Sequence, residues 1–80
     1  MASLIPATRP QSTVEAPLTL TQLQIHVGGF IRFIDLMGGD MLVINEASLD
    51  NIGLHNPTAS ALAGHPIFGD VILCSPTEIA

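Results

Sequence analysis

FIRFIDLMGGDMLVINE, residues 30–46, is the stretch of sequence that decides the fold. Two runs rich in aliphatic, aromatic and β-branched residues, Phe30–Leu36 and Met41–Glu46, flank the turn Met37–Asp40, whose paired glycines permit positive φ angles. In the first run, alternate residues share one face of a strand, and both faces are mostly apolar. The stretch therefore predicts a β-hairpin that is covered at least partly on both sides.

Short helices are predicted on both sides of this hairpin. Before it, a T-x-x-Q capping box starts at Thr19, and apolar residues at i, i+3 and i+7 predict a helix over 20–27. After it, Asn56 followed by proline is typical of a helix start and predicts a helix over 57–63. A glycine follows each helix, where a residue with positive φ is favoured.

A third strand over 67–74 completes the predicted architecture, with Gly69 marking a bulge or a close backbone approach. The order of elements predicts an α+β fold, in which a small three-stranded, mostly antiparallel sheet around the central β-hairpin carries both short helices on one face. Residues 1–17 contain three prolines and no lasting periodicity, which predicts an extended or disordered arm. The single α+β domain then spans residues 18–75, and residues 76–80 form a tail.

Charge and composition exclude several classes of protein. The net charge is −5, with two arginines and no lysine, so the chain lacks the cations that nucleic-acid binding requires. Hydrophobic residues make up 48% of only 80 residues, which predicts a homo-oligomer in which a partner subunit covers apolar surface and sheet edges. A single cysteine excludes an internal disulfide and fits a reducing cytoplasm. No apolar run approaches the ~20 residues of a membrane span, and no signal-peptide pattern is present, so we expect a cytoplasmic protein without a membrane partner.

Signatures of metal binding and catalysis are missing from the sequence. The three histidines lack the close spacing of zinc ligands, and Cys74 is expected to be a buried strand residue, so no metal and no cofactor are predicted. Asp35, Asp40 and Glu46 cluster around the hairpin and could make an acid–base pair, although acids at hairpin ends are usually solvated. The sequence has no P-loop, no G-x-S-x-G motif and no dinucleotide-binding glycine pattern. We therefore predict no catalytic residues and no enzymatic activity.

Four motifs in order resemble a small domain family of unknown function that occurs in phage, plasmid and bacterial genomes. They are VGGFI at 27–31, VINE at 43–46, NPTASAL at 56–62 and IFGDV at 67–71. The resemblance covers residues 20–74 and implies a mobile-element origin. By analogy with other small phage proteins it implies a counter-defence role in the host cytoplasm, without an established reaction. The turn at Met37 is less polar than in that family, and an exposed Met37 would indicate a specialised contact.

Eight residues are candidates for a ligand site. Because cations are scarce, one arginine, the start of the second helix and two glycine amides form the only plausible phosphate cradle, and nearby amides and carboxylates could bind a base edge or a ribose. The candidates are Arg32, Asn45, Glu46, Asn56, Thr58, Asp70, Gly28 and Gly29. Structural alternatives are that Asn45 or Glu46 closes a loop, that Asn56 only caps its helix, and that Asp70 pairs with Arg32.

Three functions are compatible with these residues. The first is a non-catalytic accessory protein that sequesters a small nucleotide-like ligand. The second is an inhibitor that docks a basic host defence protein through an apolar, acidic surface. The third is a structural or regulatory phage subunit. A concave polar pocket would favour the first, and an exposed apolar patch the second.

Overall fold

The protein is described by a computed structural model that covers residues 2–80. Within this range the sheet has five strands in the order β2-β1-β5-β4-β3, and every neighbouring pair is antiparallel. In chain order the elements are β1 (Ala2–Ile5), β2 (Ser12–Val14), α1 (Leu20–Val27), β3 (Ile31–Asp35), β4 (Met41–Asn45), a 3-10 helix (Glu46–Asp50), α2 (Pro57–Ala63), β5 (Val71–Cys74) and a second 3-10 helix (Pro76–Glu78).

Both predicted helices and the central hairpin are confirmed. At the start of α1, the Thr19 hydroxyl accepts from the Gln22 amide at 3.2 Å, and the Gln22 side chain accepts from the Thr19 amide at 2.9 Å. At the start of α2, the Asn56 side chain caps the first turn. Gly28 and Gly64 follow the two helices with φ angles of +83° and +78°, a conformation that a glycine adopts without strain.

The predicted three-stranded sheet is wrong, because the segment 1–17, predicted to be an arm, supplies β1 and β2. The prolines of this segment lie between and after the two strands, so they leave the ladders intact. β1 pairs with β5, with Leu4 opposite Ile72, and local sequence patterns carry no signal for a pairing of such distant residues. Residues 76–80, predicted to be a tail, also return to the domain: the Leu18 amide donates to the Glu78 carbonyl at 2.8 Å.

The two helices lie on opposite faces of the sheet, not on one face as predicted. Four consecutive residues of β4, Met41–Ile44, are buried, so both faces of this strand need cover. On one face, Val43 packs in a cluster with Leu23 of α1. On the other, Leu42 packs in a second cluster with Ala59 of α2. No helix in the described residues is both long enough and apolar enough to cross a membrane.

Candidate functional site

One end of the sheet gathers most of the candidate residues. Since Val43 of β4 lies opposite Ile72 of β5, Asn45 at the end of β4 and Asp70, just before β5, lie at the same end of the sheet. Ile31, the first residue of β3, pairs with Asn45, and Arg32 is the next residue of the strand. We call this end, formed where β4 ends and β5 begins, the site end.

Asn56 is fully buried at the site end, and its side chain links three segments by hydrogen bonds. Its Nδ2 donates to the Ile5 carbonyl at the end of β1 and to the Gly69 carbonyl before β5, both at 2.9 Å. Its Oδ1 accepts from the Ala59 amide at 3.1 Å. One side chain therefore joins β1, α2 and the approach to β5. The adjacent candidate Thr58 is exposed in the first turn of α2.

The side chain of Asn45 likewise links two segments by hydrogen bonds. Its Nδ2 donates to the Val27 carbonyl at 3.0 Å, and its Oδ1 accepts from the Ala47 amide at 2.8 Å, capping the 3-10 helix. A Cβ atom on Gly29 would lie 3.1 Å from the Asn45 Nδ2, so Gly29 allows this close approach. Gly28 ends α1. Asn45 and the two glycines thus have structural roles as well as their candidate roles in binding.

The three charged candidates lie in two separate ion pairs, and the second pair includes Arg9, which was not a candidate. Arg32 Nη2 lies 3.2 Å from Glu46 Oε1, and Arg9 Nη2 lies 3.3 Å from Asp70 Oδ2. The other Asp70 oxygen accepts from the Ala7 amide at 2.9 Å. The predicted pairing of Arg32 with Asp70 is wrong because β4 lies between β3 and β5, which brings Glu46 to Arg32 and leaves Asp70 beside the β1–β2 connection. Both pairs are partly solvated, so each contributes little to stability.

Two serines that sequence reasoning missed complete the internal bonding. The buried Ser48 accepts from the Phe68 amide at 2.9 Å. Ser60 donates to the Asn56 carbonyl at 2.7 Å and accepts from the Ile67 amide at 2.8 Å. Its hydroxyl also lies 3.2 Å from His55 Nε2, but it is already used by the backbone and is not presented as a nucleophile. Serines carry no local signal that distinguishes such a tether from a solvated surface residue.

The loop between β4 and α2 presents aliphatic side chains at the site end. We call residues 46–55 the aliphatic loop. Leu49, Ile52 and Leu54 are between 55% and 64% exposed. The Leu54 carbonyl accepts from the Gly69 amide at 2.7 Å, and the Ile52 amide donates to the Ala47 carbonyl at 3.1 Å. The loop is therefore held at several points while its aliphatic side chains face solvent.

A groove lies away from the site end, between the hairpin turn and the end of α2. It has a volume of about 390 Å³ and is lined by Asp35, Leu36, Met37 and residues 61–64. Met37 is fully exposed at its rim, and the specialised contact that such exposure would indicate stays a prediction. The groove is mainly apolar and contains none of the eight candidate ligand residues.

The buried polar side chains at the site end already make hydrogen bonds within the chain. Among residues 2–80, every buried side-chain nitrogen and oxygen has a hydrogen-bond partner. In the same range no three histidine, cysteine or carboxylate side chains converge as metal ligands would. An incoming nucleotide would have to share or break the bonds of Asn45, Asn56 and Asp70. By contrast, the aliphatic side chains of the loop need no rearrangement to be covered by a partner.

Comparison with known proteins finds no match: no family model, no curated protein and no solved structure resembles this chain. The family resemblance read from the four motifs therefore stays a prediction.

Proposed function

We propose that this domain is a non-catalytic binding module that docks another protein through the aliphatic loop. The observation that supports this proposal is the exposure of Leu49, Ile52 and Leu54 on a loop that backbone bonds and the buried Ser48 hold in place. Apolar residues scattered singly are common on protein surfaces, whereas three exposed aliphatic side chains within six residues of one hydrogen-bonded loop favour an interaction site.

Burial of these side chains would drive the association. Full burial of a leucine or isoleucine contributes about 1.5–3 kcal/mol relative to full exposure. The three side chains are a little over half exposed, so covering them would contribute about 3–5 kcal/mol before the costs of association. Because the loop is already ordered, little conformational entropy is lost on binding.

The chemistry of the partner follows from the charge around the loop. Glu46 and Asp50 belong to the loop, and the chain as a whole carries −5. Both arginines are paired with carboxylates, Arg32 with Glu46 and Arg9 with Asp70. The complementary partner surface is an apolar depression with a basic rim, which would also speed encounter at low ionic strength.

Sequestration of a nucleotide-like ligand receives less support from the geometry. The candidate side chains Asn45 and Asn56 already make hydrogen bonds within the protein. The groove beside Met37 is mainly apolar and lies away from the site end. The inhibitor hypothesis from the sequence is therefore the one that we carry forward. The counter-defence setting and the phage origin stay predictions of the family resemblance.

Site-specific photo-crosslinking tests the proposal. A photoreactive aliphatic amino acid replaces Ile52 in one version of the protein and Ile25, which is 72% exposed on α1, in a matched control. In extract of a host cell, we expect position 52 to crosslink to one protein and position 25 not to. An Ile52→Lys variant should lose capture of that protein, whereas Ile25→Lys should retain it. Equal crosslinking at both positions, or capture unaffected by Ile52→Lys, would contradict the proposal.

Native mass spectrometry tests the nucleotide alternative on the same preparation. Release of a small molecule at a fixed ratio per chain on denaturation, lost in Arg32→Ala, would favour sequestration. An empty chain that still crosslinks at position 52 would favour the protein-binding module.

A further inference from the structure

The strand β3 forms an edge of the sheet with unpaired backbone groups. On its inner side, the Phe30 carbonyl accepts from Glu46 and the Leu36 amide donates to Asp40, both at 2.8 Å. In an antiparallel ladder the bonding direction alternates, so Ile31, Phe33 and Asp35 direct their N–H and C=O groups away from β4. This edge therefore offers three residues for pairing with another strand.

The two sheet edges are protected very differently. The opposite edge, β2, has only three residues, and Pro10 and Pro17 flank it closely. Short length and neighbouring prolines are the usual means of blocking edge pairing. β3 has five residues, no proline and no lysine, and its one cation, Arg32, is held by Glu46. Of the two edges, β3 is the one suited to association.

The surface beside β3 is complementary to itself. Phe30 is 74% exposed, and alternation along the strand places it on the same face as Leu36, which lines the groove. An antiparallel second β3 that is centred on Phe33 brings residue 30 of one copy opposite residue 36 of the other. Each exposed phenyl ring then faces the groove of the other copy, twice by symmetry.

We propose that two copies of this chain pair through β3 in an antiparallel, two-fold symmetric dimer centred on Phe33. Phe33 faces its own counterpart, Ile31 faces Asp35, and Phe30 enters the groove beside Leu36. The three outward-facing residues of each copy are all paired in this register, and the two sheets become one continuous sheet. The dimer uses the hairpin edge and does not depend on the aliphatic loop.

Neighbouring registers are less favourable. Paired residues must lie on the same face, so the centre can move only in whole-residue steps, and the nearest alternatives are Arg32 and Ile34. A centre at Arg32 places two guanidinium groups opposite each other, which is repulsive. A centre at Ile34 pairs Ile31 with Met37, which lies in the turn beyond the end of β3, so Ile31 loses a partner within the strand.

The contact area indicates a dimer of moderate affinity. Phe30 and Phe33 are 74% and 52% exposed, and a phenylalanine presents roughly 200 Å², so the two rings offer about 250 Å² per copy. The four rings supply nearly half of the roughly 1,200 Å² in a small stable interface, and the strand backbones, Met37 and the groove add to them. We expect a dissociation constant on the order of 10 µM.

Sedimentation velocity from about 1 to about 300 µM brackets that constant. We expect the mass to rise from that of one chain, 8.4 kDa, toward twice that value, and Phe33→Lys to remain monomeric throughout. Two controls carry the same new charge elsewhere: Ile25→Lys on α1 and Thr13→Lys on the β2 edge should both dimerise like the wild type. Far-UV circular dichroism checks that each variant is folded. A wild type that stays monomeric, or a dimer abolished by Thr13→Lys and not by Phe33→Lys, would overturn the proposal.

Oxidative crosslinking tests the register. Facing residues of a hydrogen-bonded antiparallel pair have Cα atoms about 5.5 Å apart, within the range of a disulfide, so Phe33→Cys should give a covalent dimer. In the same register, the two copies of residue 35 are about 13 Å apart along the strands, and Asp35→Cys should not crosslink. The native Cys74 is buried and identical in both variants. Crosslinking of Asp35→Cys without Phe33→Cys would refute the register centred on Phe33.

Discussion

Replacing Asn56 by alanine should destabilise the domain more than any other change to a polar side chain at the site end. Asn56 is fully buried and makes three hydrogen bonds to the backbone of three different segments. Alanine cannot cap α2 and cannot donate to the carbonyls of Ile5 and Gly69. The prediction separates a structural Asn56 from one that serves a ligand, because only the structural role makes stability depend on it.

The magnitude follows from the three bonds. Loss of a helix N-cap costs about 1 kcal/mol. The buried Ile5 carbonyl and the partly buried Gly69 carbonyl each cost about 1 kcal/mol when they lose their donor, and a small cavity adds to this. The sum is about 3–4 kcal/mol, a large part of the roughly 4–12 kcal/mol expected for a domain of this size. For a domain of this size the melting temperature should fall by about 15–25 °C.

Urea and thermal unfolding followed by far-UV circular dichroism measure this loss, since the chain has no tryptophan or tyrosine for fluorescence. The matched control is Thr58→Ala, an exposed position in the same helical turn, which should change stability by less than about 0.5 kcal/mol. Asn56→Asp keeps the capping oxygen but sets a carboxylate against two carbonyls. It should be at least as unstable as Asn56→Ala at neutral pH and should recover partly on acidification. A loss below about 1 kcal/mol for Asn56→Ala would refute the reasoning.

Three further predictions concern Arg32 and Cys74. Arg32→Ala should lower stability by less than about 1 kcal/mol, because its pair with Glu46 is solvent-exposed; a larger loss in urea unfolding would mean that Arg32 has an additional structural role. Burial, with smaller contributions from the carboxylates of Glu78 and Asp40, raises the pKa of the Cys74 thiol. The folded state thus holds its proton longer than the unfolded state, so stability should fall as the pH rises above the thiol's ordinary pKa, and Cys74→Ala should reduce that fall. Iodoacetamide should modify Cys74 slowly in native protein and rapidly in urea; equal rates would contradict its burial.

Elements whose signals are adjacent in sequence could be predicted, and elements defined by distant pairing could not. The capping box at Thr19 and the Asn56–Pro57 start gave both helices, because each cap and its helix lie within a few residues. β1 and β2 are four and three residues long and gain their stability from pairing, β1 with β5. Nothing in residues 1–17 records that partner, so the segment resembles an arm.

The same limit applies to the candidate site. The sequence offered Asn56 as a helix cap and Asn45 or Glu46 as a residue that closes a loop, and both alternatives need only local spacing; the structure has Asn45 and Asn56 as caps. Their other bonds, to Val27, Ile5 and Gly69, join segments that only the fold brings together. The predicted pairing of Arg32 with Asp70 was wrong for the same reason, because no local sequence pattern indicates the order of the strands across the sheet.

The position of β5 determines when the protein can fold during its synthesis. The ribosome makes β5 after every other strand, yet β5 lies in the centre of the sheet, between β1 and β4. Until Val71–Cys74 emerge, the nascent chain holds two separate hairpins, β1–β2 and β3–β4, that share no ladder. Each of them leaves unpaired the strand edge with which β5 will pair, β1 in one hairpin and β4 in the other. A chain released before Val71 therefore cannot form the native sheet. Such a fragment exposes two hairpins with apolar side chains and unpaired edges to proteases and chaperones.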